Sequence, residues 1–159
     1  MRVSVLTISD SVSAGKYEDR SGPAVVARCR ELGWETASTA VLGDERVAIE
    51  AFLKKAADAG EGAVDLILTT GGTGVGPRDV TPEATLAAIE RLIPGFAEHM
   101  RTEGRKVTER ALLSRGIAGI RAKTIIINLP GSPTGAVESL NAIAGLLPHA
   151  VDVVHGARH

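Results

Sequence analysis

One segment decides the fold of this chain: Asp65-Leu66-Ile67-Leu68-Thr69-Thr70-Gly71-Gly72-Thr73-Gly74-Val75-Gly76. Residues 66–70 are apolar or β-branched, which is typical of a strand buried on both faces of a sheet. Four glycines follow within six residues, and Thr81-Pro82-Glu83 then places proline where a first helical turn tolerates it. The segment therefore predicts a central strand, a glycine loop and a helix in succession.

Strands and helices alternate on both sides of this segment. Apolar periodicity, together with flanking glycine and proline, predicts each element. Strands are expected over residues 3–8, 34–42, 65–70 and 124–128. Helices are expected between Ser21 and Gly33, from Asp44 through Ala56, over residues 81–93, 96–103 and 108–113, around Leu140, Ile143 and Leu147, and after Pro148. In the helix over residues 81–93, Leu86 is expected to face inward, and Pro94-Gly95 is expected to break the helix. Three polar residues stand where helices are expected to begin and are interpreted as N-caps: Ser21, Asp44 and Thr81.

This order predicts an α/β fold: a three-layer sandwich whose mostly parallel central sheet carries helices on both faces. The chain has 159 residues, of which 44% are hydrophobic. That is the usual size of one domain, so we expect residues 1–159 to form a single domain. Aromatic residues make up only 3%, so Val, Ile, Leu and Ala must fill the core.

The composition argues against several partners. The net charge is -1, with 18 basic and 19 acidic residues, so no global positive field attracts nucleic acid or an anionic membrane. No stretch approaches the ~20 apolar residues that cross a bilayer, and residues 3–8 lack the pattern of a signal peptide. We therefore expect a cytoplasmic protein that binds neither nucleic acid nor membrane.

The cysteine and the histidines offer little chemistry. Cys29 is the sole cysteine, and its helical spacing from Val25 and Leu32 indicates a small core residue rather than a nucleophile. The histidines lie away from the glycine loop in sequence and do not pair at metal-ligand spacing, so we interpret them as structural or surface residues: His99, His149, His155 and His159.

Ligands of open α/β sheets bind at the carboxyl ends of strands, where connections leave in opposite directions. Four loops qualify: residues 9–20, 43–44, 71–81 and 130–133. In the third, glycines let successive backbone N–H groups converge on an anion, because no Cβ blocks close approach. The loop is neither a P-loop nor a dinucleotide fingerprint, because Pro77-Arg78 replaces the required Lys and Ser or Thr, and Pro77 replaces the third glycine.

A longer string is more specific: Thr69-Thr70-Gly71-Gly72-Thr73-Gly74-Val75-Gly76-Pro77-Arg78-Asp79-Val80-Thr81-Pro82-Glu83-Ala84-Thr85. It resembles the signature of molybdopterin adenylyltransferases, the Mog and MoaB type proteins of molybdenum cofactor synthesis. Further matching stretches follow in order along essentially the whole chain: Ile8-Ser9-Asp10, Ser13-Ala14-Gly15, Gly43-Asp44-Glu45, Leu113-Ser114-Arg115 and Asn128-Leu129-Pro130-Gly131-Ser132-Pro133.

The resemblance implies a molybdopterin-binding fold and a nucleotidyltransferase that moves AMP from ATP to the terminal phosphate of molybdopterin, releasing pyrophosphate. It implies Mg²⁺ as the metal, with Asp44 and Asp79 in the catalytic and metal-binding positions. The residues that it implies for substrate and nucleotide binding are Ser9, Asp10, Gly71, Gly72, Thr73, Gly74, Ser114, Pro130, Gly131 and Ser132. It also implies a homotrimer or hexamer and a hand-off of the product to a molybdenum-inserting protein.

These residue types suit that chemistry. A phosphate monoester is already ionised near neutral pH, so the reaction needs polyanions to be brought together rather than a strong base. Backbone N–H groups can hold one anion, and Mg²⁺ bound by carboxylates can neutralise another.

Several simpler interpretations stay open. Asp44 has the position of an N-cap, and Asp79 could cap the helix that Thr81 already caps. Arg78 could hold a phosphate or pack on the surface, Ser132 could be a turn residue, and Ser114 could satisfy a helix end. Residues 96–100 could form a subunit contact or belong to the core.

Three other functions are alternatives to adenylyl transfer, one of them non-catalytic and two enzymatic. The chain could be a non-catalytic molybdopterin-binding paralogue of the same fold, although it retains both aspartates. Molybdenum-inserting enzymes need further domains. Nicotinamide-nucleotide deamidases carry a Gly-Gly-Leu-Gly-Pro pattern with paired aspartates, whereas this loop has Thr73 and a single Asp79. The two enzymatic alternatives, metal insertion and deamidation, are therefore disfavoured.

Overall fold

The computed structural model describes residues 1–157. Its centre is a sheet whose strands are β1 (Arg2–Ile8), β2 (Glu35–Leu42), β3 (Leu66–Thr70), β4 (Arg91–Leu92), β5 (Ala118–Arg121) and β6 (Thr124–Leu129). Their order across the sheet is β2-β1-β3-β6-β5-β4. Strands β2, β1, β3 and β6 are parallel, whereas β5 runs antiparallel to both β4 and β6. The predicted mostly parallel sheet is therefore confirmed.

Helices cover both faces of this sheet. They are α1 (Asp10–Ser13), α2 (Ser21–Glu31), α3 (Arg46–Ala57), α4 (Thr81–Ala88), α5 (Pro94–Arg105), α6 (Pro133–Ile143) and α7 (Leu147–Val154), with short 3₁₀ helices at Gly60–Gly62 and Glu109–Leu113. Helices α2, α5, α6 and α7 pack on one face, and α3 and α4 pack on the other. The three-layer sandwich is confirmed.

The two apolar layers meet at the central strands. In β3, Leu66 and Leu68 face the layer of α2, α5, α6 and α7, whereas Ile67 faces α3 and α4. In β6, Ile126 likewise faces α3 and α4, and all four side chains are fully buried. Full burial of such a side chain stabilises the fold by about 1.5–3 kcal/mol. The apolar runs of β3 and β6 therefore anchor the two strands that carry the glycine loop and the loop 130–133.

The segment between α4 and α5 differs from the prediction. Helix α4 ends at Ala88 rather than at residue 93, and Leu86, expected to face inward, is 57% exposed. Pro94 was interpreted as a helix breaker, but it occupies the first turn of α5. The physical reason is that proline fixes φ and lacks an N–H, which suits a first helical turn as well as an end.

Two edge strands were not predicted. Strand β4 has two residues and β5 has four, too few for apolar periodicity to register. Gly119 allows them to pair closely, because a Cβ at that position would lie 2.7 Å from the carbonyl oxygen of Arg91. The two predicted helices are confirmed: residues 96–103 lie within α5, and residues 108–113 form the second 3₁₀ helix with Thr108 as its N-cap.

The three predicted N-caps are wrong. Ser21 lies inside the first turn of α2, where its hydroxyl shares a 2.6 Å hydrogen bond with Thr70 at the end of β3. Thr81 lies inside the first turn of α4 and donates to the carbonyl oxygen of Gly71 at 2.9 Å. Both hydroxyls bind across the strand ends instead of to their own helix. Asp44 precedes α3, and its carboxylate does not cap that helix either.

Other expectations concern single side chains. Cys29 is fully buried, as predicted, and burial raises the pKa of its thiol to about 11. Phe96 and Met100 belong to the apolar core, which favours the core role over the subunit contact for that segment. His99, His149 and His155 are exposed, whereas His159 lies outside the described residues.

Within residues 1–157, no single helix is long and apolar enough to span a membrane. Helices α6 and α7 reach such a length and apolar composition only together, and the pair is bent by 65° at the break between them.

Candidate functional site

The site lies where three strand ends meet. Strand β2 lies on one side of β1, whereas β3 and β6 lie on the other side. The strand order therefore reverses between β1 and β3. Gly71, at φ +96°, lies against Ile8 so closely that a Cβ would clash with the Ile8 carbonyl oxygen. A Cβ on Gly131 would lie 3.3 Å from the Cα of Gly71. Glycine is thus required for the three loops to meet.

Gly72 allows the glycine loop to pass close to the carboxylate of Asp44. Its φ is +63°, a left-handed conformation that favours glycine. A Cβ there would clash with the Thr81 hydroxyl and would lie 2.9 Å from Oδ1 of Asp44. The Thr81 hydroxyl donates to Gly71, and the Thr81 N–H donates to the carbonyl oxygen of Gly72 at 3.1 Å. The start of α4 therefore fixes the first turn of the loop.

Four consecutive backbone donors of the loop have no acceptor within residues 1–157: the N–H groups of Gly72, Thr73, Gly74 and Val75. The next donor, the Gly76 N–H, binds Oδ2 of Asp79 at 2.8 Å. Backbone N–H groups are strong donors that native structures rarely leave unpaired away from water. Successive N–H groups of a turn form anion-binding concavities, so this arrangement suits a phosphate.

Two cavities flank this loop. The first has a volume of about 380 Å³, and its lining includes Thr73, Gly74, Ser114, Asn128, Pro130 and Ser132. The second has a volume of about 620 Å³, and its lining includes Ser9, Tyr17, Asp19, Arg20, Asp44 and Gly71. Three residues line both cavities: Gly72, Asp79 and Gly131. Two ligands bound in these cavities would therefore meet at Asp79.

Asp44 and Asp10 are held by a reciprocal pair of hydrogen bonds. The Asp10 N–H donates to Oδ2 of Asp44 at 2.9 Å, and the Asp44 N–H donates to Oδ1 of Asp10 at 2.9 Å. The pKa of Asp44 is raised, first because burial desolvates its carboxylate, and further because Asp10 and Asp79 repel its charge. Asp44 thus sits at the wall of the second cavity as a carboxylate surrounded by other acids.

Asp10 has a different environment from Asp44. Arg78 binds it with both Nε (3.0 Å) and Nη2 (3.1 Å), and Nη2 also contacts Glu45 at 2.8 Å. The Arg78 guanidinium is the main reason that the pKa of Asp10 is lowered. Both carboxylate oxygens of Asp10 are engaged, and Asp10 lines neither cavity. The structure therefore places Asp10 behind Asp44, and it pairs Arg78 with carboxylates.

The remaining predicted positions lie around the first cavity. Ser132 caps α6, because its Oγ accepts the Gly135 N–H at 3.1 Å. Ser114 ends the second 3₁₀ helix, and its Oγ accepts the Gly116 N–H at 3.3 Å. Pro130 and Gly131 hold the turn between β6 and α6. Of the twelve predicted site residues, the structure gathers all but Asp10 along the two cavities.

Sequence reasoning missed several cavity residues. Arg101 and Arg110 line the first cavity and Arg20 the second, where they can attract anionic ligands. Asn128 is buried at the end of β6 and donates to the hydroxyls of Thr69 and Thr85. A buried amide inside an apolar strand was the available signal for Asn128, because buried polar groups need partners.

The open sheet, the unpaired loop donors and the two aspartates are features of the class of α/β proteins that bind phosphate-bearing ligands at the carboxyl ends of parallel strands. Comparison with known proteins identifies the particular family. Residues 4–149 match the family described as probable molybdopterin binding domain, and the chain belongs to that family.

Individual relatives agree along nearly the whole chain. The molybdopterin adenylyltransferase of Helicobacter pylori strain J99 is 43% identical over 158 residues, covering 98% of this chain and 89% of the relative. That of Escherichia coli K12 is 38% identical over 164 residues, covering 98% and 79%. The crystal structure of the molybdopterin biosynthesis enzyme MoaB from Thermus thermophilus has a TM-score of 0.91 at 46% identity, covering 98% and 97%. The resemblance stated from the sequence is confirmed.

Proposed function

We propose that this chain is an adenylyltransferase of molybdenum cofactor biosynthesis. It transfers AMP from ATP to the phosphate of molybdopterin, giving adenylyl-molybdopterin and pyrophosphate. Relatives named molybdopterin adenylyltransferase, at 38–43% identity over nearly full length, support this reaction. The observation that carries the proposal is the run of unpaired N–H groups at Gly72, Thr73 and Gly74, all of which line the first cavity, beside Asp79, which lines both cavities.

The geometry explains how the chain assists the transfer. One cavity takes the pterin and the other takes the nucleotide, so that the two phosphates approach each other beside Gly72 and Asp79. The phosphate of molybdopterin attacks the α-phosphorus of ATP, and the bond to pyrophosphate breaks. The unpaired N–H groups of Gly72 and Gly74 stabilise charge on the phosphoryl oxygens without needing to reorient.

The other predicted residues have supporting roles in this proposal. Thr73, Ser114, Pro130 and Ser132 shape the first cavity, and Ser9 closes the second beside Gly71. Holding both reactants in one geometry is itself a large part of such catalysis.

Mg²⁺ fits the two aspartates. Oδ1 of Asp44 and Oδ1 of Asp79 accept no hydrogen bond within the described residues, so each carboxylate has an oxygen free for a cation. Groups of three or more His, Cys, Asp or Glu side chains suited to a metal are absent from residues 1–157. Mg²⁺ is usually held by one or two carboxylates together with substrate phosphates, so the two free carboxylate oxygens are ligands of the kind that it takes. When bound, the ion would neutralise phosphate charge, and Asp44 and Asp79 would hold it.

The alternative function, a non-catalytic molybdopterin-binding paralogue, is separated from the enzyme by one assay. The chain is incubated with ATP, Mg²⁺ and molybdopterin, and pyrophosphate is measured. The enzyme releases it in proportion to adenylyl-molybdopterin formed, whereas a binding protein releases none. Asp44→Ala and Asp79→Ala are measured beside it, and full activity in both variants would remove the proposed roles of these residues.

The family also motivates proposals about assembly. We expect a homotrimer or hexamer in solution and transfer of adenylyl-molybdopterin to a molybdenum-inserting protein. We expect both to occur in the cytoplasm. Sedimentation of the full chain tests the oligomeric state.

A further inference from the structure

Arg115 joins the turn before β5 to the glycine loop. Its backbone N–H donates to the carbonyl oxygen of Thr73 at 2.8 Å. Its side chain donates to the carbonyl oxygen of Gly74 from Nε and to that of Asp79 from Nη2, both at 2.7 Å. Three carbonyl groups of one loop therefore converge on a single residue that lines neither cavity.

Glu83 in α4 holds the guanidinium in place. Nη1 and Nη2 of Arg115 both contact its carboxylate, and this contact lowers the pKa of Glu83 and raises that of Arg115. The planar guanidinium thus donates hydrogen bonds to the carbonyl oxygens of Gly74 and Asp79 and to the carboxylate of Glu83 at the same time. A lysine cannot reproduce this arrangement, because its compact ammonium does not present a fixed fork of donors.

Peptide geometry links these contacts to the anion-binding donors. In a planar trans peptide, the carbonyl of one residue and the N–H of the next point in opposite directions. The described residues contain no cis peptide bond. Binding the carbonyl groups of Thr73 and Gly74 to Arg115 therefore turns the N–H groups of Gly74 and Val75 away from it. These are two of the four unpaired donors.

We propose that Arg115 is a positioning residue: it directs the N–H groups of Gly74 and Val75 toward a bound phosphate and fixes the backbone of Asp79, without touching the phosphate itself. The inference depends on the proposed function, since it assigns Arg115 to the same site. A residue that only stabilised the loop would affect stability alone. A positioning role predicts that substitution of Arg115 reduces phosphate affinity and turnover by more than the loss of stability explains.

Arg121 provides the matched control. Its guanidinium also binds a carboxylate, that of Asp58, together with one backbone carbonyl, that of Ala88 at 2.9 Å. It lines neither cavity and has no contact with the glycine loop. Arg115→Lys and Arg121→Lys therefore remove the same kind of contact, one at the loop and one outside it.

The experiment compares the full chain with both variants. The melting temperature, kcat, KM for ATP, and the affinity for inorganic pyrophosphate measured by calorimetry are the readouts. Both variants are expected to melt at slightly lower temperature. Only Arg115→Lys should lower kcat, by about 10- to 100-fold, since small misplacements of reacting groups have effects of that size. It should also weaken pyrophosphate binding about 10-fold, because anion binding here depends on aligned N–H groups.

The outcomes separate the two hypotheses. The positioning role is overturned if Arg115→Lys keeps kcat and pyrophosphate affinity within about twofold of the parent chain. It is also overturned if Arg121→Lys loses as much kcat or pyrophosphate affinity as Arg115→Lys does, because equal losses would not depend on contact with the glycine loop. If the parent chain releases no pyrophosphate from ATP and molybdopterin, the proposed function fails, and the calorimetric comparison still tests Arg115. Should Arg115→Lys not fold, Glu83→Gln replaces it, and unchanged pyrophosphate affinity there overturns the inference.

Discussion

Asp10 and Asp44 bind each other through their backbones: each carboxylate accepts the N–H of the other residue at 2.9 Å. The pair joins the end of β1 to the end of β2, 34 positions apart in the chain. It fixes Asp44 at the wall of the second cavity, while Arg78 donates to both carboxylate oxygens of Asp10. Asp10 therefore acts on the site through Asp44.

Asp10→Ala should misplace Asp44 and lower kcat more than it raises KM for ATP. The loss is expected to approach about 10²-fold, the effect of roughly 1 Å of misplacement. Asp10→Asn, which keeps an oxygen for the Asp44 N–H, should retain more activity than Asp10→Ala. Steady-state kinetics of both variants check this order. Equal kcat in the two variants would show that the hydrogen bond to Asp44 is unimportant.

Gly71→Ala should destabilise the fold. Its φ of +96° disfavours any side chain, and a Cβ would clash with the carbonyl oxygen of Ile8. Backbone strain of this kind costs about 1–3 kcal/mol before the clash is added. Chemical denaturation should therefore give a free energy of unfolding at least about 2 kcal/mol lower than that of the parent chain.

The control for this substitution is Gly145→Ala, where a Cβ would meet nothing within 4 Å. It should leave the free energy of unfolding nearly unchanged. If both variants unfold alike, the close approach of the Gly71 and Ile8 backbones is not a constraint on the fold.

The sequence predicted the elements whose signal is local. The apolar run of β3 and the glycines that follow it are contiguous, so the central strand and the loop at its end were both found. The edge strands β4 and β5 were missed because they have two and four residues. Pro94 was predicted to end the helix over residues 81–93 but begins α5, because proline suits a first helical turn as well as the position after a helix.

The site was predicted where a contiguous string carried it, and missed where distant residues meet. Arg78 and Asp10 are 68 positions apart, and Arg115 is 41 positions from Gly74. Such partners leave no periodic pattern in the chain. The N-cap interpretations failed for the same reason: Ser21 and Thr81 bind groups on neighbouring strand ends that a linear pattern does not show.

Cys29 should not react with thiol reagents in the folded protein. It is fully buried, and burial raises the pKa of its thiol to about 11, so the reactive thiolate is scarce at pH 8. Alkylation by iodoacetamide at pH 8 should be negligible in buffer and complete in 6 M guanidinium, as measured by intact mass. Rapid labelling of the folded chain would show that the core around α2 opens.

Asp44→Asn should stabilise the fold while abolishing most activity. Because burial and the neighbouring acids raise the pKa of Asp44, the folded state holds its proton more tightly than the unfolded state does. The stability that this protonated carboxyl contributes is therefore lost as pH rises from the ordinary pKa of 3.8 through the raised pKa of the folded state. Asparagine keeps an acceptor for the Asp10 N–H and carries no charge. Its melting temperature should exceed that of the parent chain at pH 7, by about 2–4 °C for each kcal/mol gained, and the difference should vanish near pH 3.5, where the parent carboxyl is protonated. A variant that melts below the parent chain at pH 7 would show that the Asp44 carboxylate stabilises the fold, and that the acids around it do not raise its free energy.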